Sequence, residues 1–178
     1  MMPFAAFMLM WVAMMVAMML PSLVPTLRRG AVSLGSGARI GAGYFAMWAA
    51  FGAAVYAAQL TLMAADMRWP GVGRAIPTLR GCVLIAAGLV QLSPWKARHL
   101  QCCRVGPTDR LGIRFGGNCV LCCLPFMTAL VVLGMMSLPL IAVLAAGITA
   151  ERLAHEPAPL VRAAGVFIVA SGVLVLVK

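Results

Sequence analysis

The stretch CVLCCLPFMTALVVLGMMSLPLIAVLAAGITA, Cys119 to Ala150, contains no charged residue. At about 1.5 Å per helical residue it is too long for one crossing of a hydrocarbon core about 30 Å thick. Either Ser137-Leu138-Pro139 is the turn of a hairpin, or the run is one long tilted helix with a kink there. Both readings place the stretch in a bilayer. The rest of the chain agrees. Of its 178 residues, 63% are hydrophobic and only 10% are charged, against about 25% charged in a soluble domain. Such a chain cannot cover its own surface with polar groups, so lipid is its natural solvent.

Working outward, further apolar runs are long enough to span. The sequence predicts spans at 3–25, 40–65, 77–93, 119–136 and 160–177, with 139–153 as a sixth or as a continuation of the helix before it. Ser93-Pro94 closes the third, because proline disfavours helix in the residue before it. The first is not read as a signal peptide, since Arg28 and Arg29 follow it rather than precede it. The expected fold is all-α: a polytopic transmembrane helical bundle of five to six spans, with residues 1–178 forming a single integral membrane domain.

The net charge of +10 arises from fourteen Lys/Arg against four Asp/Glu. Most of the basic residues lie between apolar runs, where they meet lipid headgroups and set topology. No aromatic and basic surface that would read bases is visible, so nucleic acid is not an expected partner. Arg28, Arg29 and Arg39 in the first loop share a side with Lys96, Arg98, Arg104, Arg110 and Arg114 in the third. The second loop holds only Arg68, Arg74 and Arg80. Eight against three puts the N-terminus outside and the loop Lys96 to Asn118 in the cytoplasm, as expected for a bacterial inner membrane protein. Asp66, Asp109, Glu151 and Glu156 fall at or outside the span ends. A proton-pumping relay needs carboxylates at membrane depth, and the spans are expected to carry almost no buried charge.

Five of the six cysteines and one of the two histidines fall between His99 and Cys123. Cys119, Cys122 and Cys123 are spaced i, i+3, i+4 and share one helical face. His99 and Cys103 do the same one turn apart. Between the groups lie Gly106, Pro107, Gly112, Gly116 and Gly117, a loop able to fold them together. His-x3-Cys followed by Cys-x2-Cys-Cys offers the soft ligands that Cu(I), or Zn(II), takes. If the helix begins near Leu121, with Pro125 in its first turn, the thiols sit at its positive end, where the metal-binding thiolate is favoured. Two other readings stay open. Cysteine also packs as a small buried hydrophobe, the reading given to Cys82. Disulfides or thiol exchange through Cys119 and Cys122 require an oxidising compartment. Cys102 is a further candidate ligand. So are the thioethers Met14, Met18 and Met19 of the first span, where Met10, Met14 and Met18 form an i, i+4, i+8 stripe. Such a stripe is either a conduction path for Cu(I) or, the stronger reading, methionine filling gaps in apolar packing; Met135 and Met136 belong to the same path or simply pack.

These motifs resemble those of the DUF2182 family, predicted metal-binding integral membrane proteins often labelled copper chaperones. The resemblance runs through Trp11, Met14, Met18, Met19 and Pro21 in MWVAMMVAMMLPSLVP, and Tyr44 and Trp48 in YFAMWAAF. It continues through Gly88, Gln91, Pro94 and Lys96 in AAGLVQLSPWK, then HLQCCR, CVLCCLPFM, GMMSLP and AERL. His99 stands where that family usually has cysteine, Leu121 replaces its glycine and Leu124 its tryptophan. The resemblance implies a non-enzymatic membrane protein that binds copper, or zinc, at His99, Cys103, Cys119, Cys122 and Cys123. It would hand the metal to an acceptor protein. The competing reading is an accessory subunit of a larger membrane complex.

Overall fold

The computed structural model describes residues 2–29, 33–106, 111–134 and 137–177. Pro107, Asp109, Arg110, Met135 and Met136, on which the sequence reading drew, lie outside the described residues. The described chain contains helices and no strand: α1 (Phe4–Arg29), α2 (Leu34–Arg68), α3 (Pro70–Leu92), α4 (Pro94–Val105), α5 (Ile113–Leu133), α6 (Leu138–Leu153) and α7 (Ala158–Val177). Phe4–Arg28, Gly35–Arg68, Gly73–Leu92, Ile113–Leu133 and Ala158–Val177 are long and apolar enough to cross a membrane. The fold is therefore the expected all-α polytopic transmembrane bundle. The long apolar run divides: α5 ends at Leu133, Gly134 takes φ 128°, and α6 starts at Leu138 with a proline in its first turn. At 16 residues, α6 is shorter than the roughly 20 that a crossing requires.

The chain forms two compact units. One comprises Met1–Leu60 and Arg98–Cys122, the other Thr61–Ala97 and Cys123–Lys178.

In the first unit, α1 buries Phe7, Trp11, Met15, Met18, Met19, Ser22, Leu23 and Thr26 along one face. Met10 and Met14 are only half-buried, so the buried face runs through Met15 rather than along the expected Met10-Met14-Met18 stripe. Pro21 and Pro25 lie inside α1, where each removes a backbone donor. Two hydroxyls stay within the helix: Ser22 Oγ donates to Met19 O at 3.0 Å and Thr26 Oγ1 to Ser22 O at 2.8 Å. Trp11 ties α1 to α2, donating from Nε1 to Trp48 O at 3.0 Å. Gly52 makes room for that indole, since a Cβ there would collide with it.

The first half of α2 lies against the start of α5 at backbone distance. A Cβ on Gly112 would strike Ile40 O, and one on Gly43 would strike Leu111 O. A Cβ on Gly116 would sit 3.0 Å from the Cα and O of Tyr44. Gly112 also takes φ 70°, a left-handed conformation that glycine adopts at little cost. The glycines of LGIRFGGNC thus act as contact points for α2.

In the second unit, α3 and α7 pack along their lengths. Gly81 faces Gly172 and Gly88 faces Gly165, so the two helices run antiparallel. A Cβ at Gly172 would lie 2.9 Å from Gly81 O, and one at Gly88 would lie 3.0 Å from Gly165 O. Small residues allow such close approach, and in lipid that packing replaces the missing hydrophobic drive.

Candidate metal centre

α4 and α5 carry the cysteine and histidine residues. His99 and Cys103 sit one turn apart on α4, which ends at Val105 with Gly106 at φ 101°, the left-handed residue that commonly closes a helix. Cys119, Cys122 and Cys123 lie on α5. That helix begins at Ile113, not near Leu121, and Pro125 is inside it. The thiols therefore sit in its second and third turns, away from the positive end, because the helix recruits Arg114 through Asn118 that the sequence reading gave to the loop. Stabilisation of thiolate by the helix terminus does not apply.

Cys103, Cys119, Cys122 and Cys123 are each at most 1% exposed. Cys102 and Cys82 are exposed, so the expectation that Cys82 packs as a buried hydrophobe is corrected: it faces outward from α3. None of the six cysteines is in a disulfide. Within the first unit, Tyr44 Oη lies 2.8 Å from Cys119 Sγ. The Tyr44 ring packs on Phe115 and Phe45 at 5.5 and 5.2 Å between centroids. His99 Nδ1 lies 3.3 Å from Asn118 Oδ1. With Nδ1 donating to that carbonyl oxygen, a neutral ring carries its lone pair on Nε2, the nitrogen that a metal takes. Asn118 precedes Cys119, so the contact brings α4 to the cysteine-bearing turn of α5. Met18 and Met19 are fully buried and Met14 half-buried in the same unit. Among the described residues, no three His, Cys, Asp or Glu side chains gather closely enough to close a metal site.

The second unit holds a polar group that the sequence reading missed. Lys96, Glu151, Gln91 and Arg152 are buried. Lys96 Nζ lies 2.9 Å from Glu151 Oε2, and Gln91 Nε2 donates to Glu151 Oε1 at 2.5 Å. The ammonium stands 5.1 Å from the centre of the Phe126 ring, within cation–π range. Gln91 Oε1 is buried with no hydrogen-bond partner among the described residues. The expectation of almost no buried charge is overturned. Glu151 does sit near a helix end, but its side chain turns into the protein and is buried. Lys96 had been counted with the headgroup-facing basic residues; paired with Glu151 it leaves that count, reducing the asymmetry to seven against three. The missed signal was the pairing of two motifs, QLSPWK and AERL, each placing polar groups beside apolar runs.

Four buried cysteines in an all-helical membrane protein are the features to set beside its relatives. The chain belongs to the family described as PpoB2, copper chaperone, which it matches over residues 8–175. That match replaces the DUF2182 assignment suggested by the motifs. The family description is that of a carrier rather than a catalyst. No curated protein and no solved structure matches the chain.

Proposed function

We propose that the protein binds Cu(I) as cargo through Cys119 and Cys122 and passes it on by ligand exchange. His99, Cys103 and Cys123 serve as further or relay ligands, and the cysteine-bearing turn faces the cytoplasm of a bacterial inner membrane. The observation that carries the reading is the pair of fully buried thiols one turn apart on α5, in a chain of a copper-chaperone family. Thiolate is the soft ligand that selects Cu(I). A two-coordinate Cu(I) site asks for two sulfurs, so it does not depend on three gathered ligands. Burial shields such a site from oxidation, and passing the ion between successive soft ligands needs no energy-coupling domain.

The test is metal analysis of protein loaded with Cu(I) in detergent, beside a count of reduced thiols. The parent and the Cys82→Ser variant should hold copper with all thiols reduced. Cys119→Ser and Cys122→Ser should lose it at equal folded yield, because a neutral hydroxyl replaces thiolate poorly. Either serine variant loading like the parent, or zinc retained in preference to copper, defeats the reading. An impermeant thiol reagent should reach a cysteine placed at Arg39 only in opened cells; labelling of intact cells reverses the topology.

A further inference from the structure

We infer that Tyr44 sets how readily Cys119 releases Cu(I), by donating a hydrogen bond to the sulfur that holds it. This inference rests on the reading of Cys119 as a copper ligand.

The two groups belong to one unit and meet at 2.8 Å with both side chains fully buried. In the metal-bound form the thiolate has no proton, so only the phenol can donate. A hydrogen bond to an ionised acceptor is roughly twice as strong as a neutral one. It also draws electron density from the sulfur and weakens the bond from sulfur to metal. Hydrogen bonds to ligating sulfur tune iron–sulfur centres in this way, and the same electronics applies to Cu(I). The hydroxyl is held in place. Its ring is packed by Phe115 and Phe45, and Gly116 lets α5 approach until a Cβ would touch the Tyr44 backbone. Carrier function gives the arrangement a purpose. A buried two-thiolate site would otherwise bind tightly and release slowly.

The exchange balances without redox chemistry. When Cu(I) leaves, the bond to Cys119 breaks and its electron pair stays on sulfur. The copper remains Cu(I), and the sulfur keeps the Tyr44 hydrogen bond or takes a proton from the medium. Tyr44 is a positioning and tuning residue and does not touch the ion.

The experiment follows transfer of Cu(I) from the loaded protein in detergent to a chromophoric Cu(I) chelator, and records the ultraviolet thiolate-to-copper charge-transfer band. Tyr44→Phe should release Cu(I) more slowly, by roughly tenfold, the low end of the effect of outer-shell changes on metal sites. Its band should move to longer wavelength, because the sulfur lone pairs rise when the donor is lost. A ring-fluorinated tyrosine at position 44, a stronger donor of nearly the same shape, should reverse both changes and keeps the test available if Tyr44→Phe folds poorly. A purely structural role predicts the opposite sign, looser binding and faster release in Tyr44→Phe. That result, or an unchanged rate and band, overturns the inference while loss of copper in Cys119→Ser leaves the proposed function standing. Full loading of Cys119→Ser overturns both.

Discussion

Tyr44 and Cys119 meet in one compact unit, Lys96 and Glu151 in the other, and each pair is shut away from solvent. The first pair joins a hydroxyl to a sulfur, and groups of this kind cost little to bury when they are uncharged and hydrogen-bonded. The second buries full charges, which is expensive unless attraction and further hydrogen bonds offset the loss of hydration. Its surroundings reflect that cost: Gln91 supplies a donor to the carboxylate, and Phe126 presents a ring to the ammonium. The contrast teaches that burial by itself does not mark the working site. The soft pair is the one on which the proposed copper exchange depends. The charged pair holds α3, α4 and α6 in one arrangement within its unit.

The largest expected effect tests the charged pair. Glu151→Ala leaves Lys96 buried without its carboxylate and should cost about 3–5 kcal/mol, the range for a buried pair broken on one side. Thermal unfolding in detergent would show it as a large fall in Tm or as lost folded yield. The double variant Lys96→Met with Glu151→Leu should recover most of that loss, because apolar replacement of a whole buried pair is often neutral or better. A double variant as unstable as the single one would mean that the charges do more than offset each other. The smallest effect belongs to the first unit. Trp11→Phe keeps a ring between Phe7 and Phe51 but removes the donor to Trp48 O. It should cost about 1–2 kcal/mol from the hydrogen bond and the smaller ring. A loss matching that of Glu151→Ala would break the comparison between the units.

The spans were legible because apolar length alone reports them: the runs over 3–25 and 160–177 have no competing interpretation in water. The helical placement of Cys119 and Cys122 one turn apart was legible as well, since their i, i+3 spacing lies in an apolar run. Three features were hidden. The start of α5 was missed because Gly116 and Gly117 read as loop, whereas they are where α2 presses against the helix. The Tyr44 contact was missed because 75 residues separate it from Cys119 and a tyrosine in an apolar span looks like packing. The Lys96 pair was missed because lysine beside Pro94 and glutamate near a helix end both look like groups that meet water. A sequence gives each residue's chemistry directly, but a partner far along the chain only through the fold.

The long separation within the buried polar group also has a consequence during synthesis. Gln91 is made 60 residues before its acceptor Glu151. At about 5–20 residues per second, the ribosome needs roughly 3–12 s to cover that interval. For those seconds the nascent α3 and α4 carry an amide and an ammonium whose common carboxylate does not yet exist. The hydrophobic spans made by then can enter the bilayer, but the junction at Pro94 cannot lock. Only when α6 emerges does the carboxylate arrive, so this polar group is completed from the C-terminal side.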